Sequence, residues 1–398
     1  MKIIKGGITA PKGFKAAGVH CGIKKKKKDL ALIYSEVPAN AFALFTSNKV
    51  KAAPLLVCKK QLQKNNKIQA VVINSGSANA CTGEKGIGDA HKTIKIASET
   101  LRINKNKVLV ASTGKIGIFL PMDKIKKGIE KACSQMSKYG YKDAAEAILT
   151  TDTCSKEMAV EIDIDGVPAR IGGVAKGSGM IHPGLGTMLC FLTTDAKITS
   201  SLLKKSINNA IITSFNSITI DGERSTNDMV LILANGMAGN KEISSGTPEA
   251  NKFQNALNYV CLELAKMIVK DGEGATKFAE ITVKGALNDI QARTAAFYIA
   301  ESSLVKTMLY GKDPNWGRIV SAVGNAPIKL NPDKIKVFFD GICVVQNTMP
   351  AGGREKAKKL LKNRSIIISV DLGIGKGKWT VWTSDLSTEY VKINAAYN

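Results

Sequence analysis

The stretch Ala175-Lys-Gly-Ser-Gly-Met-Ile-His-Pro-Gly-Leu-Gly-Thr-Met-Leu-Cys-Phe-Leu-Thr-Thr-Asp195 constrains this chain more than any other. Gly177, Gly179, Pro183, Gly184 and Gly186 read as turn formers, and Met188–Leu192 reads as a buried strand. Between them stands Gly186-Thr187, a small residue followed by a hydroxyl at the head of an apolar run. A threonine hydroxyl is a poor nucleophile at its free pKa and needs a base beside it. A cut just before Thr187 supplies that base: the freed α-amine has a reference pKa of about 7.7–8.0, and chain geometry holds it next to the hydroxyl. Such a chain has to fold so that residues 1–186 and 187–398 stay associated after division. Taken alone, a Gly-Thr pair in this setting is ordinary turn chemistry.

At 398 residues with 44% apolar content, the chain is expected to be globular throughout, as two lobes or one large intertwined domain. Its formal charge of +24, from 57 basic and 33 acidic residues, raises a nucleic-acid reading. The distribution argues against a specific nucleic-acid partner. Lysines are spread over segments such as Met122–Lys138 and Lys24–Lys28, and aromatics do not interleave with them as stacking platforms would. The Lys24–Lys28 run reads as a solvated loop flanking a strand. The eight cysteines lack any Cys-x-x-Cys pair and the histidines stand far apart at 20, 91 and 182, so no metal is expected. Cys190, inside an apolar run, reads as a small buried hydrophobe. No run reaches the ~18 apolar residues of a membrane span, and Met1-Lys-Ile-Ile-Lys-Gly-Gly7 is not a secretory signal. A cytoplasmic protein without a membrane partner is the expectation.

Periodicity predicts strands near Leu30–Ser35, Ile68–Asn74, Val108–Ser112, Met158–Ile164, Ala169–Val174 and Met188–Leu192, with helices near Gly88–Leu101, Met122–Lys138 and Lys142–Leu149. Further along it predicts helices at Thr199–Ser214, Pro248–Lys270, Asp289–Ser302 and Trp316–Gly324. Later strands are expected near Ser217–Asp221, Met229–Ala234, Glu280–Lys284, Lys336–Phe339, Ser365–Asp371 and Lys378–Thr383. Strands and helices without a regular βαβ repeat point to an α+β fold of mixed layers. Gly373-Ile-Gly-Lys-Gly377 lacks the Gly-Lys-Ser/Thr ending of a phosphate loop and reads as a turn between strands.

Ala175–Asp195 closely resembles the Lys-Gly-Ser-Gly-Met…Thr-Met-Leu motif of the ornithine acetyltransferase family. The likeness runs along nearly the whole chain. It includes Gly6–Phe14, Asn74–Gly83, Ser112–Gly117, Thr150–Thr153, Asp221–Asp228, Asp271–Ala275, Tyr310–Arg318 and Tyr390–Asn394, in matching order. The resemblance implies two interleaved mixed α/β lobes, self-cleavage at Gly186/Thr187 into an alpha chain (1–186) and a beta chain (187–398), and a heterotetramer of two of each. It implies transfer of the acetyl group of N2-acetylornithine to glutamate in arginine biosynthesis. Acetyl-coenzyme A is a possible further co-substrate, and no other cofactor is implied.

The resemblance also assigns roles. Thr187 would be the nucleophile, and Thr113 and Gly114 the oxyanion donors, a hydroxyl beside a residue whose backbone N–H is unobstructed. Thr153, Lys176, Thr187, Glu273 and Asn394 would bind substrate, with Lys176 and Glu273 as cation and anion at its two ends. Asp221–Asp228 would shape the site from behind, and Asp313–Arg318 would turn into a helix anchored by Trp316. Two departures stand out: Gly186 replaces the family's usual alanine, and the chain ends at Tyr397-Asn398 where a hydroxyl residue is typical. His182, though near Thr187 in sequence, is not required as a base. The alternative is a self-processing amide hydrolase or aminopeptidase that gives the acyl group to water.

Overall fold

A computed structural model describes residues 1–183 and 188–396, so Gly186 and Thr187, and the cleavage step expected there, lie outside the described residues. Two compact units share the chain. The first takes Met1–Gly177, the stretch ending at Asn216, and Arg224–Ile268; the second takes Ser178–Pro183, Ser217–Glu223 and the chain from Val269 onward. The chain passes repeatedly from one to the other, which is the interleaving expected of it. Each unit has its own mixed sheet, so the α+β assignment holds.

Among the described residues the first unit carries a nine-stranded sheet. Its order is Lys2–Ile3, Lys156–Ile164, Val167–Lys176, Leu189–Thr194, Met229–Ala234, Leu30–Phe45, Lys67–Ser77 and Val108–Lys115, with Phe14–Val19 also paired to Leu30–Phe45. Leu189–Thr194 and Met229–Ala234 run parallel at its centre with every residue buried, as unbroken apolar runs should. Leu30–Phe45 is ten residues longer than its expected Leu30–Ser35 core because Pro38 falls at an irregularity in the ladder. Tyr34 pairs with Ala70 and Ala39 with Ile68, so the proline sits where no ladder N–H is called for. The core includes Phe14, Leu32, Val71, Ile73, Leu109, Phe191 and Leu231.

The second unit holds a seven-stranded sheet in the order Met349–Pro350, Ile342–Gln346, Lys336–Phe339, Ser365–Asp371, Phe278–Ala286, Gly377–Ser384 and Ile218–Thr219. Helix Asp289–Glu301 covers it, and Ile281, Val283, Ile299, Phe339, Ile368 and Val381 form its core. Gly373–Gly377 is the expected turn between strands, but those strands flank Phe278–Ala286, one parallel and one antiparallel, and do not pair with each other. Trp316 opens helix Trp316–Gly324 and packs on this core, as read from the sequence. Phe14–Val19 and the helices Ala53–Lys64, Ser303–Gly311, Arg354–Leu360 and Thr388–Ala395 are additional to the expected elements. No helix among the described residues is long and apolar enough to cross a membrane.

Candidate active site

In the first unit, the strand Val108–Lys115 ends on Thr113 and Gly114. Gly114 has φ +134°, and a Cβ there would stand 2.4 Å from the backbone carbon of Gly76. Only glycine fits this close crossing of two backbones. Thr113 is buried, and its Oγ accepts a hydrogen bond from Lys176 Nζ at 3.3 Å. A hydroxyl that accepts from an ammonium keeps its own hydrogen available to donate. Lys176 Nζ also donates to Thr150 Oγ at 2.9 Å and stands 3.9 Å from Asp152 Oδ2.

Asp152 anchors this arrangement. Its Oδ1 accepts from Lys156 Nζ and from the Gly177 N–H, each at 2.7 Å, and its Oδ2 accepts from the Thr150 N–H at 3.1 Å. The side chains of Asp152 and Lys156 are fully buried. Burial alone would push the Asp152 carboxyl up, but the ammonium groups of Lys176 and Lys156 and the Gly177 N–H outweigh it and hold the group well below the usual carboxylate range. Thr153, the next residue, is exposed. Sequence reasoning assigned Thr153 from Thr150-Thr-Asp-Thr153 and passed over Asp152; the signal available was the one charge in a hydroxyl cluster.

Lys24 corrects a second reading. It does not belong to a fully solvated run: it is half-buried and donates to Lys28 O at 2.8 Å and Leu149 O at 2.7 Å. Burial lowers its pKa to about 8; Asp29 opposes the shift, while the charges of Lys27 and Lys176 add to it. Lys28 is also engaged, with Glu146 at 2.8 Å and with Asp143.

Asp228 holds the residue that follows Thr187: its Oδ1 accepts the Met188 N–H at 2.9 Å. Among the described residues its Oδ2 is buried without a hydrogen-bond partner. Burial drives this carboxyl well above its usual range, against the Met188 N–H, the nearby hydroxyls of Thr46 and Ser225 and the Lys176 charge. Cys190 lies fully buried in the following strand, its thiol pushed well up by burial, which is the hydrophobe read from the sequence.

The second unit brings Glu273 and Asn394 together. Asn394, exposed on helix Thr388–Ala395, donates from Nδ2 to Glu273 Oε2 at 2.9 Å and to Tyr390 O at 3.0 Å. The Glu273 N–H donates to Ser178 O at 2.7 Å, and its carboxylate lies so close over Gly179 that a Cβ there would be 2.5 Å from Oε2. Ser387 Oγ donates to Gly274 O at 2.6 Å and stitches the Asp271–Gly274 turn to the final helix. Asp221 accepts the N–H groups of Met180 and Ile181 at 2.5 and 2.9 Å, and the Tyr390 hydroxyl at 3.2 Å. Met180 is held in a left-handed conformation, φ +57°. In sequence, Asp221 and Asp228 thus clamp the residues on either side of 184–187. His182 is occupied elsewhere: Nε2 lies 3.0 Å from Glu301 Oε1 and Nδ1 is 2.9 Å from Pro183 O.

Among the described residues no group of three or more His, Cys, Asp or Glu side chains is placed to hold a metal ion. The chemistry on offer is that of fixed donors and charges: in the first unit a hydroxyl–backbone pair beside a buried ammonium, in the second a carboxylate braced by an amide.

Comparison with known proteins gives a consistent picture. The ArgJ family model matches residues 15–398. The chain is similar to the arginine biosynthesis bifunctional protein ArgJ of Caldanaerobacter subterraneus subsp. tengcongensis, at 48% identity over 402 residues and the full length of both chains. It is also 48% identical over 398 residues, again at full length, to the protein of the same description from Listeria monocytogenes. Among solved structures, the ornithine acetyltransferase of Mycobacterium tuberculosis complexed with ornithine is 40% identical, over 46% of this chain and 97% of that one, with a TM-score of 0.43.

Proposed function

We propose, because the chain belongs to the ArgJ family, that it moves the acetyl group of N2-acetylornithine to glutamate in arginine biosynthesis through an acetyl ester on Thr187. The observation that supports the reading is the Lys176–Thr113 hydrogen bond, which joins the residues proposed as substrate-binding cation and oxyanion donor. In maturation the Thr187 hydroxyl attacks the Gly186 carbonyl; water then hydrolyses the ester, leaving a Gly186 carboxylate and a free Thr187 amine. In turnover that amine takes the hydroxyl proton as oxygen attacks the acetyl carbonyl, and passes it to the departing ornithine nitrogen. The glutamate amine attacks the ester in the second half. Thr113 Oγ–H and the Gly114 N–H stabilise both tetrahedral oxyanions. Lys176 takes the substrate carboxylate and Glu273, steadied by Asn394, its distal amine; Thr153 adds a hydrogen bond. Acetyl-coenzyme A serves as a second acetyl donor for glutamate. The mature enzyme is a cytoplasmic heterotetramer of two 1–186 and two 187–398 chains.

The test is kinetic and covalent. A single nucleophile that takes the acetyl group from one amine and yields it to another requires ping-pong kinetics. N-acetylornithine alone should release ornithine and leave an acetyl adduct on the 187–398 fragment, detected by mass after denaturation. Intersecting initial-rate plots with no adduct would rule out the Thr187 ester. Acetate appearing in place of N-acetylglutamate would make the protein a hydrolase.

Glu273→Gln keeps size and hydrogen bonding but removes the charge facing the substrate amine. Glu273 is half-buried, so the lower end of the range for truncating a charged partner applies, about 2 kcal/mol, or roughly a thirtyfold rise in KM for N-acetylornithine. An unchanged KM would remove Glu273 from the site.

A further inference from the structure

We propose that a basic cleft in the second unit, lined by Ala275, Thr276, Tyr310, Lys312, Lys362 and Arg364, binds the phosphates of a nucleotide, the anionic handle of an acyl-thioester donor such as acetyl-coenzyme A. The inference rests on the second donor named above. The cleft has a volume of about 640 Å³, enough for a nucleotide.

Besides Lys277, three cations reach it from three places in the chain. Lys312 caps helix Ser303–Gly311 in a left-handed conformation, φ +55°; Lys362 follows helix Arg354–Leu360; Arg364 precedes strand Ser365–Asp371. Among the described residues none of the three pairs with a carboxylate. Arg364 spends one donor on Lys270 O at 3.1 Å, and its fork has others left.

Lys277, which also lines the cleft, and the Asp385 carboxylate are both engaged with the surrounding backbone. Lys277 Nζ donates to the carbonyls of Leu361, Lys362 and Asn363 at 2.7, 3.1 and 2.6 Å, which fixes the turn carrying Lys362 and engages its acceptors. The Asp385 carboxylate accepts the N–H groups of Thr276 and Lys277, at 2.8 and 2.9 Å, and the Thr276 hydroxyl. Burial lowers the Lys277 pKa, and the charge of Lys312 lowers it further against Asp385. Lys277, Lys312, Lys362 and Arg364 outnumber the single Asp385 carboxylate that bonds to this wall of the cleft, and a phosphate-bearing ligand would offset the excess positive charge. Three cations on separate segments match several phosphates better than one, and Tyr310, part-exposed, lines the same cleft as an aromatic neighbour for a base. Ala275 lies two residues after Glu273, on the turn that carries the proposed substrate carboxylate.

The experiment uses the mature enzyme and the triple variant Lys312→Gln, Lys362→Gln, Arg364→Gln. A control, Lys60→Gln, Lys64→Gln, Lys92→Gln, removes the same charge from a basic groove of the first unit. Calorimetry at about 0.15 M salt, where exposed charges more than ~8 Å apart are largely screened, measures coenzyme A, ADP, pyrophosphate and inorganic phosphate. Coenzyme A should bind wild type and control alike, and the cleft variant about tenfold more weakly or worse. KM for acetyl-coenzyme A should rise in parallel while the N-acetylornithine-dependent rate is unchanged. Equal weakening in the control, or no coenzyme A binding to wild type, overturns the proposal. Pyrophosphate or phosphate binding as tightly as coenzyme A overturns the nucleotide assignment. If coenzyme A fails while N-acetylornithine turns over, the cleft proposal falls alone; if N-acetylornithine also fails, the proposed function falls with it.

Discussion

Thr187→Ala should give a folded, uncut chain of 398 residues with acetyl transfer reduced by on the order of 10⁶, the scale of removing a covalent nucleophile. The substitution deletes the attacker in maturation and in turnover together. The wild-type enzyme should instead show two masses, for residues 1–186 and 187–398, that co-purify. Thr187→Ser separates the hydroxyl from the rest of the side chain: it should still cut and retain measurable turnover, since an Oγ remains. An active wild-type preparation containing only the uncut mass would sink the self-cleavage reading. Full activity in the alanine variant would sink the nucleophile.

Asp152→Asn is the second large effect. It leaves Lys156, fully buried, without its countercharge, and breaking such a pair from one side costs about 3–5 kcal/mol. The pH dependence has a definite sign. Asp152 has a folded-state pKa held well below its unfolded value of about 3.9, so its contribution is fully present above that value and is lost as pH falls through it towards the folded pKa. Wild-type stability should fall with acid in this window, and the variant should show a shallower fall. Asp152→Asn with Lys156→Met removes the orphaned charge and should recover most of the stability. Lys176 would still lack the carboxylate 3.9 Å away, so KM for N-acetylornithine should stay raised in the double variant. Recovery of both stability and KM would reduce Asp152 to a purely structural part.

The strands of both sheets were legible where an apolar run is unbroken, as in Met229–Ala234, or where buried apolar residues alternate with more exposed ones, as in Ser365–Asp371. They were not where a local rule had a tertiary exception. Pro38 signals a strand end from sequence, yet the ladder irregularity between Tyr34 and Ala39 absorbs it and pairing resumes through Phe45. The final helix was hidden for a different reason. Thr388–Ala395 buries none of its residues, so it has no apolar stripe to read, and its start is marked only by Ser387 Oγ accepting the Tyr390 N–H. Among the proposed site residues, Thr113, Gly114, Lys176, Glu273 and Asn394 were named from motifs; the fold adds the Lys176–Thr113 and Asn394–Glu273 hydrogen bonds and the close backbone crossing at Gly114. Asp152 and Lys156 escaped because a buried ion pair across a short loop has no periodicity; only the fold reveals that both charges lack water.

The centre of the first sheet has a thermodynamic consequence. Leu189–Thr194 and Met229–Ala234, which would both belong to the fragment beginning at Thr187, lie between Val167–Lys176 and Leu30–Phe45, which would belong to the other. Neither polypeptide can leave without stripping main-chain bonds from the middle of the other's sheet, so separation and denaturation become one event. In the precursor that event is unimolecular. Were the peptide bond at 186/187 cut as proposed, the same melting would liberate independent particles, and mass action would enter. The proposed cut would thus trade a melting point fixed by the fold for one that depends on how much enzyme is present, with dilution acting as a denaturant on the divided form.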